Sequence, residues 1–187
     1  MGRRSLPPHV PLPALSSASG PALLYQFPTT HLAGKEYIMK REFTTLCYLQ
    51  KDGRWLMLYR NKKKNDVNAG KYIGVGGHVE DGESPDECIV REVYEETGYR
   101  LTDYRARGLI TFVMDDVVEY TMLYTADGFE GHERPCDEGE LVWVEADRVM
   151  ELPLWEGDRE FLERLRNDRP FFTLKLVYKN DKLTDIV

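Results

Sequence analysis

The stretch from Gly77 to Tyr99 constrains this 187-residue chain more than any other, because its second half carries a complete set of helix signals. Ser84 is a capping side chain, Pro85 suits the first helical position, and Glu87 lies three residues after the cap, where it closes a capping box. Gly98 supplies the stop. The helix so bounded has roughly 13 residues and a length of about 20 Å at 1.5 Å per residue.

On that helix Glu92, Glu95 and Glu96 stand at i, i+3 and i+4, so three carboxylates share one face. Ile89, Val90, Val93 and Thr97 form an adjoining stripe that can bury, which puts the acids at the edge of a packed surface. A cluster of like charges weakens a bare helix. Such a face is either simply solvated or organised around divalent cations. Oxygen donors with no His or Cys among them suit Mg2+ or Mn2+.

The spacing around the helix narrows the choice. Gly77, five residues, Glu83, seven residues and then Arg91-Glu92-Val93-x-Glu95-Glu96-x-Gly98 resembles the Nudix hydrolase signature, with Tyr99 replacing the usual aliphatic residue at a packing position. The resemblance extends from residue 41 to about 180. It implies a hydrolase of nucleoside-diphosphate-linked compounds.

Reading the rest of the chain supports one α+β domain, residues 39–187. Phe43–Gln50 and Trp55–Arg60 read as a hairpin turning at Lys51-Asp52-Gly53. Further strands are expected at Arg107–Met114, Val117–Thr125, Leu141–Glu145 and Phe171–Tyr178, with a last short strand after Asn180-Asp181. A second helix is expected over Gly157–Asn167, after a short helical turn at Asp147–Met150. Strands with two main helices fit a mixed β-sheet sandwiched between α-helices. Residues 1–38 differ in kind: they hold six of the ten prolines, carry +2 and so leave −9 for the remainder, and read as a disordered extension upstream of a domain starting near Met39.

Composition excludes several partners. A net charge of −7 argues against a nucleic acid polymer, which needs a basic surface. No apolar run reaches 18 residues, so no membrane helix is expected. Cys47, Cys88 and Cys136 form no C-x-x-C pair, which points away from a disulfide framework or a zinc site and toward the cytoplasm. Arg60 at a strand end and a lysine from Lys62 to Lys64 precede the signature and are candidate phosphate contacts.

Gly70 to Gly77, Asp137-Glu138 and Leu152 to Asp158 bring the resemblance closer to the MutT-like diphosphatases. That subgroup implies hydrolysis of a small-molecule nucleotide, an oxidised purine triphosphate such as 8-oxo-dGTP, to the monophosphate and pyrophosphate. By the same resemblance Trp155 stacks on the base and Asp158 reads its edge. The Gly76 carbonyl and Glu138 join Glu92, Glu95 and Glu96 around the metal, and either Glu92 or Glu138 is the general base. Glu83 and Arg91 pair. Two positions depart: Ile73 stands where mammalian relatives place an Asn against the base, and Gly157 replaces an acid beside the reader. ADP-ribose, dinucleoside polyphosphates and an RNA 5′ end are the alternative substrates, and a non-catalytic nucleotide sensor is the alternative role.

Because residues 1–38 contain no core of their own, deleting them is expected to leave the melting temperature unchanged. A fall beyond about 5 °C, upward of roughly 1 kcal/mol for a domain this size, would show instead that the segment packs on the domain.

Overall fold

Alternation along the first strand sets the layers of the molecule. The computed structural model describes residues 39–187; the disorder expected of residues 1–38 lies outside the described residues. In β1 (Lys40–Lys51) the side chains of Cys47 and Leu49 enter one apolar cluster and Tyr48 the other, as a period of two requires. The turn Asp52-Gly53, with φ of 51° and 74°, leads into β2 (Arg54–Arg60). These two strands pair only at Gln50 with Trp55 and Lys51 with Arg54, then diverge.

β2 continues between β6 (Gly139–Glu145) and the two-residue β3 (Tyr72–Ile73), antiparallel to both. β1 instead runs parallel to β5 (Val117–Gly131), which is antiparallel to β4 (Tyr99–Met114). β4 then pairs in parallel with β7 (Phe172–Lys179), and β7 in antiparallel with β8 (Lys182–Ile186). The strand order is β3-β2-β1-β5-β4-β7-β8, with β6 on β2. Helix α1 (Pro85–Thr97) buries Ile89 and Val93 with Cys47, Leu49, Leu56 and Val75, and α2 (Asp158–Arg166) buries Phe161, Leu162 and Leu165 with Tyr48, Met57 and Leu176. Each such side chain stabilises the fold by about 1.5–3 kcal/mol. The α+β expectation of a mixed sheet between helices therefore holds. No helix among the described residues is long and apolar enough to cross a membrane.

Three boundaries differ most from the sequence reading. β1 begins at Lys40 rather than Phe43, β4 begins directly after Gly98, and β5 runs on to Gly131. The added lengths of β4 and β5 pair with each other, but register shifts at Leu101/Asp103 and Ala106/Gly108 interrupt the alternation. A bulge moves the following side chains to the other face, so the period of two is lost in the sequence. The turn expected at Asp147–Met150 appears as a 3-10 turn at Val149–Glu151.

The signals for α1 act as read. Ser84 Oγ accepts from the Glu87 N–H at 3.2 Å, and the Glu87 carboxylate accepts from the Ser84 N–H at 2.9 Å. Gly98 ends the helix at φ 81°, its N–H on the Tyr94 carbonyl at 2.9 Å. Ser84→Ala is expected to cost about 1 kcal/mol and to lower the melting temperature by a few degrees, with turnover retained. An unchanged melting curve would mean that packing alone holds the first turn.

Candidate active site

The loop before α1 is pinned to the free edge of β1. Val75 exchanges both backbone bonds with Cys47 (2.7 and 2.9 Å), Thr45 N–H donates to Gly77 O at 2.8 Å, and Val79 N–H to Phe43 O at 3.0 Å. Gly76, between two residues whose polar groups face β1, turns its own to the opposite side. There its N–H donates to Glu96 Oε2 at 3.1 Å, and alternation directs its carbonyl the same way. A Cβ on Gly76 would overlap the Thr45 carbonyl, and one on Gly77 would lie 2.5 Å from the Glu92 carboxylate. Glycine is what lets the backbone come this close to both.

Arg91 organises the acids of the helix. Its Nε and Nη2 hold the two Glu83 oxygens at 2.9 Å each, Nη1 reaches Glu92 at 2.7 Å and Glu95 at 3.3 Å, and Nη2 also donates to His78 O at 3.1 Å. The guanidinium and the Glu80 N–H pull the Glu83 carboxyl down to about 2. The expected Glu83–Arg91 pair is therefore present. Glu96 is 8% exposed, and burial raises its carboxyl to about 7 against the Gly76 hydrogen bond, with the Glu92 charge adding to the rise.

A cavity of about 810 Å³ opens beside this loop. The even-numbered side chains of β1, from Lys40 to Leu46, lie on its floor as a continuation of the face that carries Tyr48 into the α2 core. Glu92 and Glu138 line the cavity with Arg60 and Lys63. Arg60 is buried; it donates through Nε to Asp66 at 2.7 Å and through Nη1 to Glu138, and Lys63 reaches the other Glu138 oxygen. Arg60 thus stands in the cavity wall as a partner of Asp66 and Glu138.

Trp155, also in the lining, donates from Nε1 to Asn68 Oδ1 at 2.8 Å, meets Tyr178 edge to face at 5.9 Å, and carries Lys71 Nζ 5.0 Å from its ring centre. Asp158, the first residue of α2, is 5% exposed and lines the cavity; burial raises its carboxyl to about 7, with Lys71 and Arg159 opposing. Ile73, Phe112 and Met114 supply apolar wall. Gly157 leaves room for Tyr178, whose hydroxyl accepts the Gly157 N–H at 2.8 Å; a Cβ there would lie 2.6 Å from that oxygen.

Of the residues named from sequence, the cavity brings together Arg60, Ile73, Gly76, Glu92, Glu138, Trp155 and Asp158. Glu96 sits behind Gly76, and the Glu95 side chain, 59% exposed, reaches the group only through Arg91. Asp66, Asn68 and Glu119 were not named. Their signal is weak: one lies in a lysine-rich loop, the next beside it, and the last at an unremarkable strand position.

The donor set, carboxylates with a backbone carbonyl, suits a hard divalent ion. The mutual repulsion of Glu92 and Glu96 is the charge such an ion would neutralise. Among the described residues no three acidic, His or Cys side chains are drawn together as a ready metal cluster. The chain's own cations occupy the acids instead, Arg91 on Glu92 and Glu95, Arg60 and Lys63 on Glu138.

The NUDIX domain model matches residues 40–165. An uncharacterised Nudix hydrolase of Bacillus subtilis strain 168, YvcI, is 31% identical over 125 residues, covering 64% of this chain and 75% of that protein. The oxidized purine nucleoside triphosphate hydrolase of Danio rerio is 30% identical over 116 residues, covering 61% and 72%. The crystal structure of a MutT protein from Bacillus halodurans superposes with a TM-score of 0.71 at 24% identity, over 78% of this chain and 96% of that one, and so shares the fold.

A carboxyl raised above its unfolded value destabilises the fold as pH rises from about 4.5 through about 7, where only the folded state keeps the proton. In EDTA the melting temperature is therefore expected to fall across that window. Glu96→Gln keeps the Gly76 hydrogen bond through its amide oxygen and should remove part of the fall, on the order of 1–3 kcal/mol at pH 8; Asp158 supplies more of the same sign. If the gap between wild type and variant does not widen with pH, burial of Glu96 carries no penalty.

Proposed function

The chain belongs to the Nudix family of hydrolases, and on that premise we propose that it hydrolyses a nucleoside triphosphate with an oxidised purine base, such as 8-oxo-dGTP, to the monophosphate and pyrophosphate. The observation that carries this reading is the lining of one cavity, which brings acids and cations together with an aromatic ring and a buried carboxyl. The name of the Danio rerio relative points the same way.

Glu92, Glu95, Glu96, Glu138 and the Gly76 carbonyl are the groups that would hold Mg2+ or Mn2+. Such an ion neutralises phosphate charge and makes a bound water more acidic. Arg91 fixes the Glu92 carboxylate beside Gly77, so that it keeps one orientation while substrates exchange. Arg60 and Lys63 share Glu138 and add positive charge where phosphates would lie. Glu92 or Glu138 takes the proton as water oxygen bonds to phosphorus, and the bridging P–O bond breaks to release pyrophosphate. Trp155, held by Asn68, offers its ring to the base, and Asp158 offers its carboxyl to the base edge.

The test is pyrophosphate release from 8-oxo-dGTP, dGTP, other triphosphates and ADP-ribose, each with Mg2+ and with EDTA. The oxidised purine is expected to give the highest kcat/KM, and EDTA to abolish turnover. Trp155→Ala should raise KM about tenfold while saturated turnover persists. Glu95→Gln and Glu96→Gln should each lower kcat by about a hundredfold or more. Wild-type turnover in both glutamine variants, or hydrolysis of ADP-ribose alone, overturns the reading.

A further inference from the structure

The cavity floor carries a carboxylate that the mechanism above leaves unused. Glu119 of β5 stands beside Glu42 of β1 and opposite Phe112 of β4, on the face that bears Leu46 and Met114. Its Oε1 accepts from Thr44 Oγ1 at 2.7 Å and from Thr121 Oγ1 at 3.1 Å. The two hydroxyls, both on buried residues, lie 2.9 Å apart. Two donors on one oxygen fix the rotation of the carboxylate and leave Oε2 for a ligand. Glu42, its neighbour, is turned instead to Lys40 and His78.

A charged acid on a partly apolar floor is costly to desolvate. What it offers that an amide or hydroxyl does not is an acceptor unable to donate. Asp158 faces the same cavity from the first turn of α2, 5% exposed, with its carboxyl influenced by Lys71 and Arg159 at a distance and met by no hydrogen bond among the described residues. Two carboxyl groups thus open on one space from different walls, sheet and helix.

We propose that Glu119 is a specificity-determining residue, acting with Asp158 to select purine bases that present N–H donors on two edges. The inference rests on the nucleoside triphosphate reading and names how its base is chosen. A 2-amino-6-oxopurine presents N–H groups along its N1 edge and a bare acceptor at N7. Oxidation at C8 places a hydrogen on N7 and turns that acceptor into a donor. A fixed carboxylate toward N7 accepts from the oxidised base and repels the lone pair of the parent. Glu119 therefore reads the atom whose hydrogen-bonding character oxidation reverses, while Asp158 takes the other edge.

The experiment uses the full chain and its Glu119→Gln and Glu119→Leu variants, with folding checked by melting. Two readouts are taken: kcat/KM for 8-oxo-dGTP and dGTP, and calorimetric binding of 8-oxo-dGMP and dGMP. In Glu119→Gln the threonine hydroxyls hold the amide oxygen and turn its NH2 to the cavity, so a donor replaces the acceptor. The preference for the oxidised base is expected to fall by roughly tenfold to a hundredfold, the loss of one hydrogen bond to a charged group, and to pass toward the parent base. Glu119→Leu is expected to lose the discrimination without reversing it. Equal effects on both nucleotides in turnover and in binding overturn the proposal. Binding that discriminates through Glu119 in a chain that releases no pyrophosphate upholds the proposal and overturns the triphosphatase reading. A wild type that binds neither monophosphate overturns both.

Discussion

The short antiparallel strip between β1 and the Gly74–Val79 loop is the constraint from which the site follows. Three residues of β1, Phe43, Thr45 and Cys47, spend backbone bonds on the loop, which fixes the side of each peptide in it. Gly76 thereby turns its N–H to Glu96 of α1, and Gly77 comes against Glu92. The helix is held independently by Ile89 and Val93 in the core beneath it. Neither element can shift without breaking backbone bonds or opening a buried cluster, so the carboxylates stay in one place.

Charge is the second organising term, and Arg91 distributes it. One guanidinium serves three carboxylates and a carbonyl, joining the loop to the helix by a rigid fork that a lysine would not reproduce. Glu96 lies outside its reach and has only the Gly76 N–H, which is why burial can raise it to about 7. The acids on one helix turn therefore differ sharply in environment: Glu92 paired, Glu95 largely in solvent, Glu96 buried. Sequence spacing makes the three look equivalent. The loop lies on the side of Glu96, and this asymmetry decides their separate positions.

How much of this was legible depended on whether the cause was local. Helix α1 was readable because Ser84, Pro85, Glu87 and Gly98 act within a few residues of where they stand. The turns at Asp52-Gly53 and Asn180-Asp181 were readable for the same reason, each carrying positive φ at residues that tolerate it. The length of β4 and β5 was hidden, since bulges shift the phase of alternation and only pairing with the other strand reveals them. Arg60 could be singled out as a cation at a strand end, but its partners could not, because Asp66 and Glu138 come from separate loops. Glu119 was invisible for a simpler reason: a lone acid in a strand acquires meaning only when Thr44 arrives from β1, 75 residues away, to hold it.

Part of the cavity floor continues the sheet face that forms the α2 core. Along β1 the inward side chains pass from Tyr48, under α2, to Leu46 and then to Thr44 and Glu42, where α2 no longer reaches. The helix stops short because it begins at Asp158, and Gly157 before it gives up a side chain so that Tyr178 can bond its N–H. Read from sequence, Gly157 and Ile73 look like lost polar contacts. In the fold, glycine is the condition for the Tyr178 contact, Ile73 is wall, and polarity returns from another strand through Glu119. On the reading proposed above, apolar side chains with acids on separate walls would suit a planar heterocycle with N–H groups on its rim. The sheet face stays open there because α2 begins only at Asp158, while β1 continues beyond it with different residue types.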